Sequence, residues 1–298
     1  MKVAVLAGGT GGAKLAVGFA RALPPEDLSI IANTGDDVTV WGVHVSPDVD
    51  AIVYRLAGLF DEARGWGLSG ETWAALEMMG RLGEPTWFQL GDRDLAVHTL
   101  RTRLEHEGLR PTEAAVEVQR RLGLAIRVLP ASDQPVSVCL RTDAGTFTLQ
   151  EYLVRERAGP EVRGVEIVAE GGPSPEVAAA LDEADLVVIG PSNPLISINP
   201  ILAVATPPRA KTVAVSPIVG GEALKGPTVK MLRELGREPL PETVAEEYRT
   251  VASRFVLDQQ DATRAEAIEA LGYVVQVTDT VMPDGAAARR LAEAILAG

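Results

Sequence analysis

Asp36 and Asp37 close an apolar run in LSIIANTGDD, and Asp48 and Asp50 follow in SPDVD, where the next helical pattern begins. Carboxylates on separate loops are the hard oxygen ligands that a magnesium ion takes, with water and a substrate phosphate completing its octahedron. Taken alone, Asp48 is explained as an acid that complements a helix dipole. The four together are not, because a candidate anion cradle lies upstream, Gly8-Gly9-Thr10-Gly11-Gly12. Acids beside a bound anion repel it unless a cation stands between them. Glycines let backbone N–H groups approach a phosphate closely, and a helix opening after them points its positive end at the same spot. The spacing matches neither common phosphate motif. No stretch supplies GxxxxGK[ST], and in GxGxxG Gly9 and Gly11 fit but the third glycine falls on Lys14. An ordinary NAD site is therefore disfavoured, and a phosphate cradle with a metal beside it is the preferred reading.

Three further stretches carry polar chemistry. In Leu90-Gly91-Asp92-Arg93-Asp94, Arg93 either neutralises a phosphate or pairs with its acidic neighbours, and His98 falls one helical turn after Asp94. The chain has 3 histidines, His44, His98 and His106, and none is spaced as a zinc ligand. PSNPLISINP (191–200) and SPIVGGEALKGP (216–227) each follow an apolar run. Ser192, Asn193, Ser197, Asn199 and Ser216 there supply neutral hydrogen-bonding groups, and Lys225 is a candidate counter-charge for phosphate.

These residues need elements to hold them. Residues 2–7 read as a strand, 13–23 as a helix and 28–32 as a second strand. Short apolar strands separated by helices make a parallel sheet buried on both faces, and ligands sit beyond the carboxyl ends of such strands. The glycine loop and NTGDD both lie at carboxyl ends, so they are expected to face one crevice. Helical patterns cover 48–60, 71–82 and 112–122, so the stretch of about 60–124 reads as a mostly helical insert. It holds WGLSGETW (66–73) and TWFQLGDRDLAVH (86–98), with Trp66, Trp73 and Trp87 out of 4 tryptophans. Those rings either cover the sheet or form a platform for a flat ligand.

Residues 125–170 alternate between apolar and polar, as in an antiparallel meander or an extension of the sheet. The rest returns to the α/β pattern. Helices are expected at 174–184 (capped by Ser174, with Pro175 first), 228–236, 242–252, 263–271 and 285–297. Strands are expected at 185–190, 211–215, 255–257 and 273–277. No repeat or linker divides the chain, so the expectation is one domain over 1–298.

With 298 residues and 46% hydrophobic content the chain can bury a large core. A net charge of −13 argues against nucleic acid or an anionic membrane as partner, though not against a locally cradled anion. One cysteine, Cys139, leaves no disulfide within the chain, and its alternating context reads as packing. No signal-like start or long apolar run is present, so a soluble, cytoplasmic protein is expected.

Taken in order, GGTGGAKL (8–15), NTGDD (33–37), SPDVD (46–50), GWGLSGETW (65–73), LGDRDLAVH (90–98), IGPSNPLISINPIL (189–202) and VSPIVGG (215–221) make nearly the whole chain resemble the 2-phospho-L-lactate transferase family. Its archaeal members are associated with lactyl donors and many bacterial ones with enolpyruvyl donors. The resemblance implies a Rossmann-like α/β fold with a mainly parallel sheet, a helical insert and a small antiparallel extension. It implies transfer of a phospho-acid from a guanosine diphosphate-linked donor to the hydroxyl of 7,8-didemethyl-8-hydroxy-5-deazariboflavin, releasing GMP, in coenzyme factor 420 biosynthesis. Mg²⁺ and a homodimer are implied as well. On this reading Gly8, Gly9, Thr10, Gly11, Gly12, Ser192, Asn193 and Ser216 bind the donor. Asp36 and Asp48 hold the metal. Asp48 and Asp50 are catalytic, with Asp50 deprotonating the acceptor hydroxyl or only hydrogen-bonding it. Trp66, Trp73, Gln89 and Arg93 border the tricyclic ring.

Two other readings share parts of the pattern. A non-enzymatic, nucleotide-sugar-binding regulator of the gluconeogenesis factor group has a similar GGTGG start, but SPDVD, GWGLSGETW and LGDRD favour the transferase. An oxidoreductase of Rossmann type is weakened by the misfit to GxGxxG.

Overall fold

The computed structural model describes residues 1–223 and 225–298, so Leu224 in the 216–227 loop lies outside the described residues. β1 (Val3–Ala7), α1 (Gly9–Ala22) and β2 (Leu28–Ala32) open the chain. A hairpin of β3 (Val38–Val40) and β4 (Val43–Val45) precedes α2 (Pro47–Leu56), α3 (Ala74–Arg81), α4 (Asp92–His106) and α5 (Pro111–Arg121). Next come β5 (Arg127–Pro130), then β6 (Val136–Thr142), β7 (Gly145–Thr148) and β8 (Val162–Ala169). α6 (Pro175–Glu183), β9 (Leu186–Ile189), α7 (Asn199–Val204), β10 (Thr212–Val215), β11 (Ile218–Val219) and β12 (Glu222–Ala223) follow. The chain closes with α8 (Thr228–Glu234), α9 (Pro241–Tyr248), β13 (Arg254–Asp258), α10 (Ala265–Glu269), β14 (Val274–Thr278) and α11 (Gly285–Ala297).

Seven strands form one parallel sheet in the order β14-β13-β10-β9-β1-β2-β5. β1 lies in the interior of the sheet, with Val5 opposite Ile30 on one side and Val188 on the other. From β1 the chain winds outward through β2 and β5, then returns to β9 and winds the opposite way. That reversal opens a crevice beyond the carboxyl ends of β1 and β9. Both faces of the sheet are covered, as the uninterrupted apolar strands require. Ala4 and Leu6 enter one core with Ile31, Leu129 and Phe255, while Val3, Val5 and Ala7 enter the other with Phe19, Ile30 and Leu291. The two-residue period of a strand divides neighbours between the two faces.

Several local expectations shift. The helix after β1 begins at Gly9, so most of the glycine stretch is the first turn of α1 rather than a free loop. VTVWGVHV forms hairpin β3–β4, an element beyond those expected from the sequence; Trp41 and Gly42 both carry positive φ in its turn, as tight hairpin turns require. Of the 125–170 stretch, β5 extends the parallel sheet and β6–β8 form a separate antiparallel sheet in the order β7-β6-β8. The 191–200 loop contains a π-helical turn at Pro194–Ile198 and the start of α7. Among the described residues no helix is long and apolar enough to cross a membrane.

Candidate functional site

The crevice beyond β1 and β9 holds two adjoining cavities that share Gly9, Thr10 and Leu153. One, of about 510 Å³, lies toward the insert and is lined by Asp36, Asp48, Asp50, Trp66, Trp87 and Phe88 among others. The other, of about 430 Å³, lies toward β9 and β10 and is lined by Gly8, Gly11, Ser192, Asn193, Ser216 and Lys225 among others. Each is large enough for a drug-sized ligand. The start of α1 stands between them.

The acids are sorted by their partners. Asp48, on the first turn of α2, accepts from the Gly9 amide at 2.6 Å through Oδ1 and from Asn33 Nδ2 at 2.9 Å through Oδ2. Asn33 is itself fixed, its Oδ1 accepting from the Gly35 amide at 2.8 Å. Asp36 is buried; its Oδ1 has no partner among the described residues and its Oδ2 lies 3.4 Å from Gln150 Nε2. Burial first, then the charges of Asp48 and Asp37, push the Asp36 carboxyl well above the usual range. Burial also carries Asp48 up to about 6, against the pull of its Asn33 and Gly9 hydrogen bonds. A buried carboxyl raised by its acidic neighbours, one of its oxygens lacking a partner among the described residues, fits a divalent cation. Among the described residues no group of three or more potential ligands gathers elsewhere or here. A pair of carboxylates is what magnesium needs when phosphate and water supply the remaining oxygens.

Asp37 and Asp50 are already engaged. Asp37 accepts from Ser46 Oγ and lies 3.0 Å from His44 Nε2, while His44 Nδ1 lies 2.7 Å from Glu105. Burial opposes charge on His44, but its bonds to Asp37 and Glu105 outweigh that and raise its pKa to about 9. Asp50, 4% exposed, takes both terminal nitrogens of Arg101 on its two oxygens. His98 sits between it and Asp94, with Nδ1 3.5 Å from Asp50 and Nε2 3.1 Å from Asp94. Tyr54 donates to Asp94 at 2.6 Å. Burial works against the Asp94 charge, yet His98 and Tyr54 hold its pKa below the usual value. Asp94, His98 and Arg101 fall on one face of α4, and all three are buried.

The aromatic wall is equally specific. Trp66 packs edge-on against Trp73 at 5.9 Å between centroids, and the Arg64 guanidinium lies 4.4 Å from the Trp66 ring. Trp66 and Gln89 line the cavity; Trp73 supports Trp66 from behind. Arg93 is not brought into either cavity. It is exposed on the first turn of α4, where its guanidinium donates to the Ser69 carbonyl at 3.1 Å.

On the β9 side the hydroxyl and amide side chains mostly shape the loops. Ser192 Oγ donates to the Gly8 carbonyl, Asn193 Oδ1 accepts from the Leu195 amide at 2.9 Å, and Ser216 Oγ exchanges bonds with Ile218. Gly12 lies behind the lining, where a Cβ would meet Ser192 Oγ at 2.5 Å and Ala7 Cα at 3.0 Å. Lys14, Arg55, Tyr54, Gln150 and Arg101 are cleft or supporting residues that the sequence reading did not single out. For Arg101 a signal was present, since it continues the Asp94–His98 helical spacing.

A doubly wound parallel sheet with a two-cavity cleft at its switch point defines an α/β protein of Rossmann-like class. A solved Bacillus halodurans structure of the UPF0052 family has that fold, with a TM-score of 0.59 at 18% identity over 99% of this chain and 98% of that one. A second Bacillus halodurans structure gives 0.62 at 17% identity, covering 99% of each chain. Residues 3–294 match the family 2-phospho-L-lactate transferase CofD. The 2-phospho-L-lactate transferase of Methanosarcina mazei is 36% identical over 98% of this chain and 98% of its own. The phosphoenolpyruvate transferase of Streptomyces avermitilis is 36% identical over 100% of this chain and 98% of its own. The chain belongs to the 2-phospho-L-lactate transferase CofD family, and it is a phospho-acid transferase.

Proposed function

We propose that the protein transfers a phospho-acid from a guanosine diphosphate-linked donor to the primary hydroxyl of 7,8-didemethyl-8-hydroxy-5-deazariboflavin, releasing GMP, in coenzyme factor 420 biosynthesis. The observation that carries this reading is the pair of cavities meeting at Gly9 and Thr10, one walled by tryptophans and acids and the other by glycine, serine and lysine. A flat tricyclic acceptor suits the first, and a nucleoside diphosphate suits the second. The regulator reading gains nothing from the relatives, which are named as transferases.

In the reaction the acceptor hydroxyl oxygen attacks the phosphorus that bears the acid, the bond from that phosphorus to the GMP oxygen breaks with its electron pair leaving on GMP, and the hydroxyl proton is released to water. First-turn amides of α1 face the diphosphate, because helix-start N–H groups lack intrahelical partners. Asp36 and Asp48 hold Mg²⁺, which when bound neutralises phosphoryl charge that would otherwise be repelled by the acids. Asp50, fixed on Arg101, accepts the hydrogen bond of the acceptor hydroxyl and orients it. Trp66 stacks on the ring with Gln89 at its edge.

A transfer assay tests this directly. Purified protein is incubated with the deazaflavin alcohol, Mg²⁺ and lactyl-, enolpyruvyl- or glyceryl-linked diphosphoguanosine, and the deazaflavin product is weighed by mass spectrometry. A mass gain matching one acid, with stoichiometric GMP, is expected. No product from any donor, with the fold intact, would defeat the proposal.

A further inference from the structure

Three cations gather where the two cavities join, in a chain of net charge −13. Lys14 and Lys225 line the cavity on the β9 side, and Arg55 lines the acidic one. Lys225 reaches toward the other cavity, its Nζ 3.9 Å from the point where a Cβ on Gly65 would sit. The Arg55 side chain is 6% exposed, and its guanidinium lies 3.6 Å from the centre of the Phe60 ring. Its Nε is buried and has no hydrogen-bond partner among the described residues. Its ion-pair partner, Glu62, is 67% exposed and so is readily displaced into water. Lys14 is anchored by a bond to the Met282 carbonyl at 2.8 Å. Lys225 and Arg55 are both close enough to act on Lys14: burial, then the charges of Lys225 and Arg55, lower the Lys14 pKa, with Glu62 opposing.

Like charges in a partly buried corner are unfavourable unless an anion spans them. A guanidinium fork matches a carboxylate in two parallel hydrogen bonds, whereas an ammonium acts as a point charge. We propose that Arg55, with Lys14 and Lys225, is the subsite for the free carboxylate of the transferred phospho-acid, and that it selects donors carrying that carboxylate. The inference rests on the transferase reading. Both acids named for the relatives, 2-phospholactate and phosphoenolpyruvate, have a carboxylate on the carbon that bears the phosphate ester oxygen. The acid hangs on the phosphorus under attack, so its carboxylate must lie where donor and acceptor meet. That is the corner these three residues occupy.

The test uses two donors that share the diphosphoguanosine end, one with a 2-lactyl arm and one with a methyl group in place of its carboxylate. Wild-type protein is compared with Arg55→Gln and with Lys225→Gln, the latter an exposed position that leaves folding unaffected. The wild type is expected to favour the carboxylate donor by roughly 10- to 100-fold in kcat/KM, the size of a lost charge-assisted bond. Each variant should bring that ratio toward unity, chiefly through a higher KM for the carboxylate donor. Equal losses on both donors, leaving the ratio where it was, would assign the cations to the diphosphate and overturn the proposal. A wild-type ratio near unity would overturn it too. If the wild type moves neither arm, the transferase reading itself has failed.

Discussion

The Gly9 amide donates to the Asp48 carboxylate at 2.6 Å, so an acid from α2 stands at the amino end of α1. The positive end of that helix is thus already met by a fixed anion. A diphosphate arriving there meets both the remaining amides and the Asp48 charge, and a cation between the two anions resolves the conflict.

Removing that cation should stop transfer. EDTA is expected to abolish activity and Mg²⁺ to restore it. Mg²⁺ should also raise the melting temperature of the wild type, since a ligand that binds only the folded state stabilises it. Asp36→Asn and Asp48→Asn should lose that Mg²⁺-dependent rise, measured by thermal denaturation across a Mg²⁺ titration. A full rise in both variants would place the metal elsewhere.

Arg101→Gln leaves Asp50 buried without its cation. The expected cost is about 3–5 kcal/mol, read from urea denaturation. Asp50→Asn keeps an acceptor oxygen for the hydroxyl of the deazaflavin, so kcat per folded molecule should fall about tenfold, whereas loss of a general base costs about 10²–10⁴. A loss in the latter range would make Asp50 the base.

His44 couples folding to alkaline pH. Its pKa, raised to about 9, means that the folded state holds the proton more tightly than the unfolded chain does. The stability this gives is fully present below about pH 6.5 and is lost as pH rises through about 9. His44→Gln should cost about 1–2 kcal/mol at about pH 6 and much less at about pH 10. Denaturation midpoints at the two pH values check this, and an equal cost at both would exclude the ion pairs as its cause.

Gly12→Ala forces a Cβ against Ser192 Oγ and the β1 backbone. Overpacking of this kind costs about 1–3 kcal/mol, so the melting temperature should fall even though the added group lies outside the cleft. An unchanged melting temperature would show that α1 and the Ser192 loop are free to move apart.

Trp66→Ala should raise KM for the deazaflavin about tenfold and leave KM for the donor unchanged. Fluorescence titration with the deazaflavin alone reads the same change. Equal effects on both substrates would put the ring elsewhere.

The β-α-β opening was legible because apolar runs and turn residues are local signals. VTV and VHV flank Trp41-Gly42 in a hairpin whose arms hold three residues each, too few for alternation to mark a strand. The glycines after β1 read as a loop because glycine is rare in helices. At Gly11 and Gly12 its use is close packing of α1 on the 191–192 backbone and side chain, which no single segment encodes.

By itself the sequence determined the chemistry available and the rim that would carry it. Glycines after one strand and acids after the next must share a sheet edge once the strands are parallel. Only the tertiary structure decided which acids are free. Asp50 is neutralised by an arginine 51 positions away, and Asp37 by a histidine that Glu105 of α4 also grips. Asp36 and Asp48 are left facing the cleft because, among the described residues, no cation folds against them. Charge pairing across such distances depends on how α4 packs beside α2, and packing is set by the whole core rather than by any run of residues.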